Sequence, residues 1–128
     1  MTNKELVKYW EETSQHDYDT MIALFESKRY DASLFFGHII LEKAIKALVV
    51  KETEKEAPYS HNLLMLAELA KINLTSDELD FLAEVNRFNM RTRYPDAKFK
   101  FYKICDKEYT HDNLKKIKKL YKKLCQII

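Results

Sequence analysis

An almost continuously apolar helix is predicted by residues 36–50, FGHIILEKAIKALVV. Apolar residues recur in this stretch at steps of three and four, which is the period of an α-helix. They also cover so much of the circumference that the helix needs apolar partners on several sides. We therefore expect it to be the central helix of a bundle or to lie at a subunit interface.

The composition of the whole chain favours helices over strands. The 128 residues include only one Gly and two Pro, which leaves few turn-forming residues to separate a set of strands. A chain of this length is typical of one domain. The sequence predicts a single all-α domain over residues 1–128, an antiparallel up-and-down bundle of about five helices with a four-helix core.

Apolar spacing and stop signals give the expected helix bounds. Five helices are predicted, at residues 3–26, 30–51, 61–71, 76–90 and 111–127. The second is expected to bury Leu34, His38, Leu41, Ile45 and Leu48, and the fourth Leu79, Leu82, Val85 and Phe88.

Local signals support three of the helix starts and one stop. Thr2 with Glu5, and Thr75 with Glu78, have the spacing of a capping box. Ser60 is the expected N-cap of the third helix. Pro95 disfavours helical backbone in the residue before it, so residues 91–110 are predicted to be irregular but packed through their aromatic side chains.

Charge is distributed unevenly along the chain. Residues 1–86 carry 9 Lys/Arg and 16 Asp/Glu, a net charge of −7, whereas residues 87–128 carry 13 and 4, a net charge of +9. Two interpretations remain open: a basic face for an anionic partner, or two halves that attract each other within the fold or a dimer. The lysine-rich last helix likewise fits either a solvated face or a surface for nucleic acid or an anionic membrane.

Several classes of protein and site are not indicated. No apolar run reaches the roughly 18–20 residues that a membrane span needs, and no signal segment opens the chain. Cys105 and Cys125 have no disulfide-framework or zinc spacing, and a phosphate-binding glycine loop cannot be built around Gly37 alone. We expect a cytoplasmic protein with no metal and no cofactor.

A polar group interrupts the apolar second helix. Glu42 and Lys46 stand one turn apart in the favourable orientation for an ion pair, with Lys43 beside them and His38 one turn before Glu42. They fit an ordinary solvated pair, or the rim of a cleft that orients a partner group such as an arginine.

A cationic, aromatic stretch, Arg91-Thr-Arg-Tyr-Pro-Asp96, is the main candidate for ligand binding. Arg91 and Arg93 offer bidentate contacts to phosphate, and Tyr94 offers a ring on which a base can stack, with Asp96 close by. The same residues also fit a helix C-terminus whose cations complement the helix dipole.

The histidines give weaker signals. His61 could contact a phosphate, but its place at a predicted helix start favours a capping role. His16 is expected at the surface and His111 at the start of the last helix. No two histidines have metal-ligand spacing.

Three of these stretches, in this order, resemble the HEPN family of small helical proteins. They are Leu41-Glu-Lys-Ala-Ile-Lys-Ala47, His61-Asn-Leu63 and Arg93-Tyr-Pro-Asp96. The resemblance covers nearly the whole chain and implies an up-and-down bundle, a homodimer and a role in nucleotide binding. It also implies a minimal nucleotidyltransferase as partner, in a toxin–antitoxin or stress-response pair.

The ribonuclease branch of the family carries an arginine followed four to six residues later by a histidine. Here the histidine that next follows Arg91 and Arg93 is His111. General acid–base cleavage of RNA needs a group that titrates near neutral pH at the reacting oxygens. We therefore predict a non-catalytic module that binds a nucleotide or a partner, with no catalytic residue. The alternatives are an atypical metal-independent ribonuclease that uses His61 or His111 with Arg91, and a purely structural dimer scaffold.

Overall fold

The computed structural model describes residues 1–89 and 95–128. This part of the chain contains six helices and no strand: α1 (Asn3–Glu26), α2 (Tyr30–Thr53), α3 (Leu63–Leu69), α4 (Ser76–Asn86), α5 (Pro95–Ile104) and α6 (Lys107–Ile127). The predicted all-α class is confirmed.

The apolar helix α2 is the centre of the structure, as its sequence predicts. All five residues of its predicted stripe are buried. All five other helices contact α2, and α1, α6 and α3 have the most extensive contacts with it. A helix with apolar side chains around most of its circumference can bury them all only in such a central position.

Side-chain contacts fix the directions of the four longest helices. Met21 and Ser33 meet across α1 and α2, which the short turn between them makes antiparallel. Ser14 meets Tyr121 and Phe25 meets His111, so α6 runs antiparallel to α1.

Helix α6 also runs antiparallel to α4. Glu78 meets Lys123 at one end of this pair, and Phe81 meets Lys116 further along it. In chain order α1, α2, α4 and α6 therefore alternate in direction, which confirms the up-and-down bundle. The short helices α3 and α5 connect its members.

Residues 91–110 are not an irregular segment over their described part, so that prediction is wrong. Helix α5 begins at Pro95, whose fixed φ suits the first position of a helix, and α6 begins four residues earlier than predicted, at Lys107. Asp106 is the N-cap of α6 and accepts a hydrogen bond from the Tyr109 amide. Helix α4 ends before Pro95, as predicted, but Pro95 is also the first residue of a further helix, α5.

The capping boxes of α1 and α4 are both present. Helix α4, however, ends at Asn86 rather than at residue 90. The Arg87 and Phe88 amides form tight turn bonds to the Glu84 and Val85 carbonyls. This turn directs the fully buried Phe88 side chain into the core.

At Gly37, a side chain of α6 packs directly against the backbone of α2. A Cβ atom at this position would lie 2.6 Å from Cδ1 of Ile117 and 3.6 Å from Sδ of Met21. The missing side chain therefore lets α6 dock against α2 through a fully buried isoleucine.

The two charged halves pair only sparsely within the described residues. Lys123 donates a hydrogen bond of 2.7 Å to Glu78, which lowers the pKa of that carboxyl together with the Thr75 backbone, and Arg87 lies 3.5 Å from Glu84. Six lysines of α6, by contrast, are exposed: Lys107, Lys115, Lys116, Lys118, Lys119 and Lys122. Most of the basic charge therefore faces solvent.

Candidate functional site

The carboxylate of Glu42 gathers three basic side chains around it. Its Oε1 atom lies 2.8 Å from Nδ1 of His61 and 3.8 Å from Nδ1 of His38, and its Oε2 atom lies 3.0 Å from Nζ of Lys46. We call His38, Glu42, Lys46 and His61 the Glu42 cluster. The cluster joins the middle of α2 to the loop before α3.

The three members of the cluster that lie on α2 are buried, so the interpretation of Glu42 and Lys46 as a solvated pair is wrong. His38, Glu42 and Lys46 are 1%, 9% and 5% exposed. The Lys46 ammonium also lies 5.2 Å from the centre of the Trp10 ring on α1, a cation–π contact. A buried charge needs such partners because it has left water.

Two hydrogen bonds hold the loop before α3 against α2. Nε2 of His38 donates to the His61 carbonyl at 2.9 Å. Nδ1 of His61 is hydrogen-bonded to Oε1 of Glu42, one turn further along α2, at 2.8 Å. The backbone and the side chain of His61 are therefore both fixed by α2.

His61 does not cap its helix, which corrects the capping interpretation. The N-cap is Asn62, whose side-chain oxygen accepts hydrogen bonds from the Leu64 and Met65 amides. Ser60, the predicted N-cap, instead accepts a bond from the Asn62 amide. About a third of the His61 side chain is exposed.

The end of α4 is tied to the same loop. Asn86 accepts a hydrogen bond from the Leu63 amide at 2.9 Å and donates one to Asn62 at 3.2 Å. No sequence signal marked Asn86, whereas Asn62 could have been recognised as an N-cap directly before an apolar run. The segment that carries Arg91 and Arg93 follows Asn86 in the sequence.

Lys43 lies apart from the cluster. Its ammonium donates to Asp17 of α1 at 2.6 Å. Of the residues predicted at a cleft rim, the structure therefore brings His38, Glu42 and Lys46 together and directs Lys43 towards α1.

The cationic stretch lies only partly within the described residues. Arg91, Arg93 and Tyr94 lie outside the described residues. Asp96 is exposed in the first turn of α5, where a carboxylate complements the helix dipole, and it forms none of the contacts described for the Glu42 cluster.

Other reactive groups in the described residues give no competing site. His16 is exposed as predicted, and His111 lies on α6 beside Phe25, inside the helix rather than at its start. Cys105 and Cys125 are free thiols, and burial raises the pKa of Cys105 to about 12, so it stays protonated near neutral pH. No group of three or more His, Cys, Asp or Glu in these residues could hold a metal ion.

Comparison with known families decides the classification. A family sequence model of the HEPN domain matches residues 7–128. The chain belongs to the HEPN family. This confirms the resemblance carried by the residues around Glu42, His61 and Arg93.

A solved structure has the same fold as this HEPN chain. The crystal structure of TT1696 from Thermus thermophilus superposes with a TM-score of 0.76, covering 95% of this chain and 98% of that one at 17% identity. At this identity the likeness shows the fold alone. A comparison with curated proteins gave no match. Within the described residues, no helix has the length and apolar content to cross a membrane.

Proposed function

We propose that this chain is a non-catalytic HEPN module that binds a nucleotide beside the Glu42 cluster. The observation that carries this proposal is the position of His61. Its Nδ1 atom is held by Glu42 at 2.8 Å, and about a third of its side chain remains at the surface. An imidazole whose orientation is already fixed can contact a phosphate with little further loss of rotamer freedom.

Other groups of the chain suit the remaining parts of a nucleotide. The Tyr59 ring is 94% exposed and lies 5.7 Å from the His61 ring, so it offers a face on which a base can stack. Arg91 and Arg93 supply cations that can bind phosphate in bidentate fashion. Together these groups would recognise a nucleoside di- or triphosphate.

Family membership supports the wider role. We propose a homodimer that works with a minimal nucleotidyltransferase in a toxin–antitoxin or stress-response pair. The adjacent reading frame tests the partner proposal, because a small nucleotidyltransferase is expected there.

Binding is tested by thermal melting with ADP, ATP, GDP and GTP. A ligand present at 100 times its Kd stabilises a protein by about 2.7 kcal/mol, which for a chain of this size raises Tm by several degrees. We expect such a rise with at least one nucleotide and its loss in Arg93→Ala and His61→Gln. Arg29→Ala is the matched control, because Arg29 precedes α2 and lies roughly 20 Å along the helix from Glu42. No rise with any of the four nucleotides would refute the nucleotide site.

One observation favours a second function, RNA cleavage. A carboxylate that orients an imidazole is the arrangement found in many general bases, and the Glu42–His61 pair has it. His111 has no comparable partner among the described residues, since it lies only near the exposed Asp112 and Phe25. This contact supports His61 over His111 as the candidate histidine for the alternative.

The ribonuclease alternative is decided by incubating the protein with mixed RNA and EDTA. We expect no cleavage above that of a His61→Ala preparation. Cleavage that disappears in His61→Ala and persists in His111→Ala would replace the non-catalytic proposal with a metal-independent ribonuclease.

A further inference from the structure

Helix α5 exposes an aromatic and cationic surface that the nucleotide site does not use. None of its residues is buried, and Phe99 and Tyr102 are 56% and 60% exposed. Large aromatic side chains clustered in water usually mark an interaction site. We call Lys98, Phe99, Lys100, Tyr102 and Lys103 the α5 surface.

The two aromatic rings are stacked against each other, and we call this pair the platform. Phe99 and Tyr102 are three residues apart, so they share one face of the helix. Their ring centres are 6.4 Å apart and their planes differ by only 18°. Nζ of Lys103 lies over the Phe99 ring, 4.5 Å from its centre, in a cation–π contact that a stacking base would replace.

The opposite side of α5 is anchored, so the platform has a fixed base. The Phe101 ring lies 5.6 Å from the Phe88 ring, which is fully buried in the core. The helix is followed at once by Cys105, which is also buried. Phe99 and Tyr102 are therefore held at the surface by the packing of their neighbours.

The charge around the platform is positive. Lys98, Lys100 and Lys103 are all exposed, and Asp96 is the one acidic residue of α5. Lysine is depleted in the cores of protein–protein interfaces, which argues against a second copy of the chain as the occupant. Aromatic rings that alternate with cations are instead the pattern that binds unpaired bases and their phosphates.

We propose that the α5 surface binds single-stranded nucleic acid, with bases stacked on Phe99 and Tyr102 and phosphates beside the three lysines. Stacking needs unpaired bases, so a duplex is a poor ligand. This proposal does not rest on the nucleotide site, because it uses different residues and a longer ligand.

Fluorescence anisotropy with labelled 12-residue oligouridylate, oligothymidylate and a duplex of equal length tests it. We expect both single strands to bind more tightly than the duplex, and the ratio of their affinities shows whether RNA or DNA is preferred. Phe99→Ala/Tyr102→Ala should weaken binding about 5-fold to about 150-fold for each base stack lost. Tyr9→Ala, an exposed aromatic on α1, is the matched control and should bind normally.

The lysines are tested by the dependence of binding on salt. Neutralising one phosphate of a single strand contributes a slope of about −0.7 in log K against log salt concentration. Lys98→Gln/Lys100→Gln/Lys103→Gln should therefore reduce the slope by roughly two. An unchanged slope would overturn the phosphate contacts.

Three other results would overturn the proposal. The first is no single-strand binding by the unaltered protein, and the second is equal binding by Phe99→Ala/Tyr102→Ala. The third is a change of molecular mass in that variant without a change in oligonucleotide affinity, which would identify α5 as a self-association surface. Nucleotide-induced melting shifts should persist in Phe99→Ala/Tyr102→Ala, so failure here and failure of the nucleotide site can be told apart.

Discussion

Replacing Glu42 with alanine is expected to lower the free energy of unfolding by about 3–5 kcal/mol. The carboxylate is the one described partner that neutralises the Lys46 ammonium, which is only 5% exposed. Without it a buried charge remains unpaired, and the bond that holds His61 against α2 is lost. Urea denaturation followed by circular dichroism measures the change, and the m value shows whether unfolding stays two-state.

Two further variants test whether burial causes the effect. Glu12→Ala breaks an i,i+4 pair with Lys8 that is exposed on α1, so it should cost less than about 1 kcal/mol. Glu42→Leu/Lys46→Met removes both buried charges and should recover most of the loss, because matched apolar residues replace a buried ion pair at little cost. A loss in Glu42→Ala no larger than in Glu12→Ala would contradict the buried charge network.

Replacing Phe88 with alanine is expected to cost about 3–5 kcal/mol of unfolding free energy. The Phe88 side chain is fully buried just beyond the end of α4, and its ring contacts that of Phe101 on α5. The truncation therefore leaves a cavity and removes the aromatic anchor of α5. Urea denaturation measures the loss, and hydrogen exchange of the α5 amides should rise more than that of the α2 amides.

Phe99→Ala is the matched control for Phe88→Ala. It removes the same side chain from the exposed face of α5, where less apolar surface is withdrawn from water, so its cost should be below about 1 kcal/mol. Equal losses in the two variants would show that α5 is not anchored through Phe88.

Much of the helical framework could be predicted from the sequence because it depends on local signals. The two capping boxes, the α1 bounds and the buried stripe of α2 follow from residue types at fixed spacing, and the structure confirms them. The end of α4 and the presence of α5 could not be predicted from these local signals. The α4 helix ends before Phe88, whose ring is buried in the core. Helix α5 packs on this ring through Phe101, which is remote from Phe88 in sequence.

The candidate site could be predicted from the sequence only in part. The i,i+4 spacing of His38, Glu42 and Lys46 placed them on one edge of α2, as the structure shows. The contact between Glu42 and His61 spans 19 residues, and no local pattern encodes it. The roles of Arg91 and Arg93 remain predictions.

The sequence by itself determined the helical class, the central place of α2 and the family, since these depend on periodicity, caps and short motifs. Only the tertiary structure decided that Glu42 and Lys46 are a buried pair rather than a solvated one. The same i,i+4 spacing serves both cases, and the difference is whether neighbouring elements exclude water. Here Trp10 of α1 and the loop carrying His61 cover the pair, and the exclusion of water by these two elements creates the buried charge cluster.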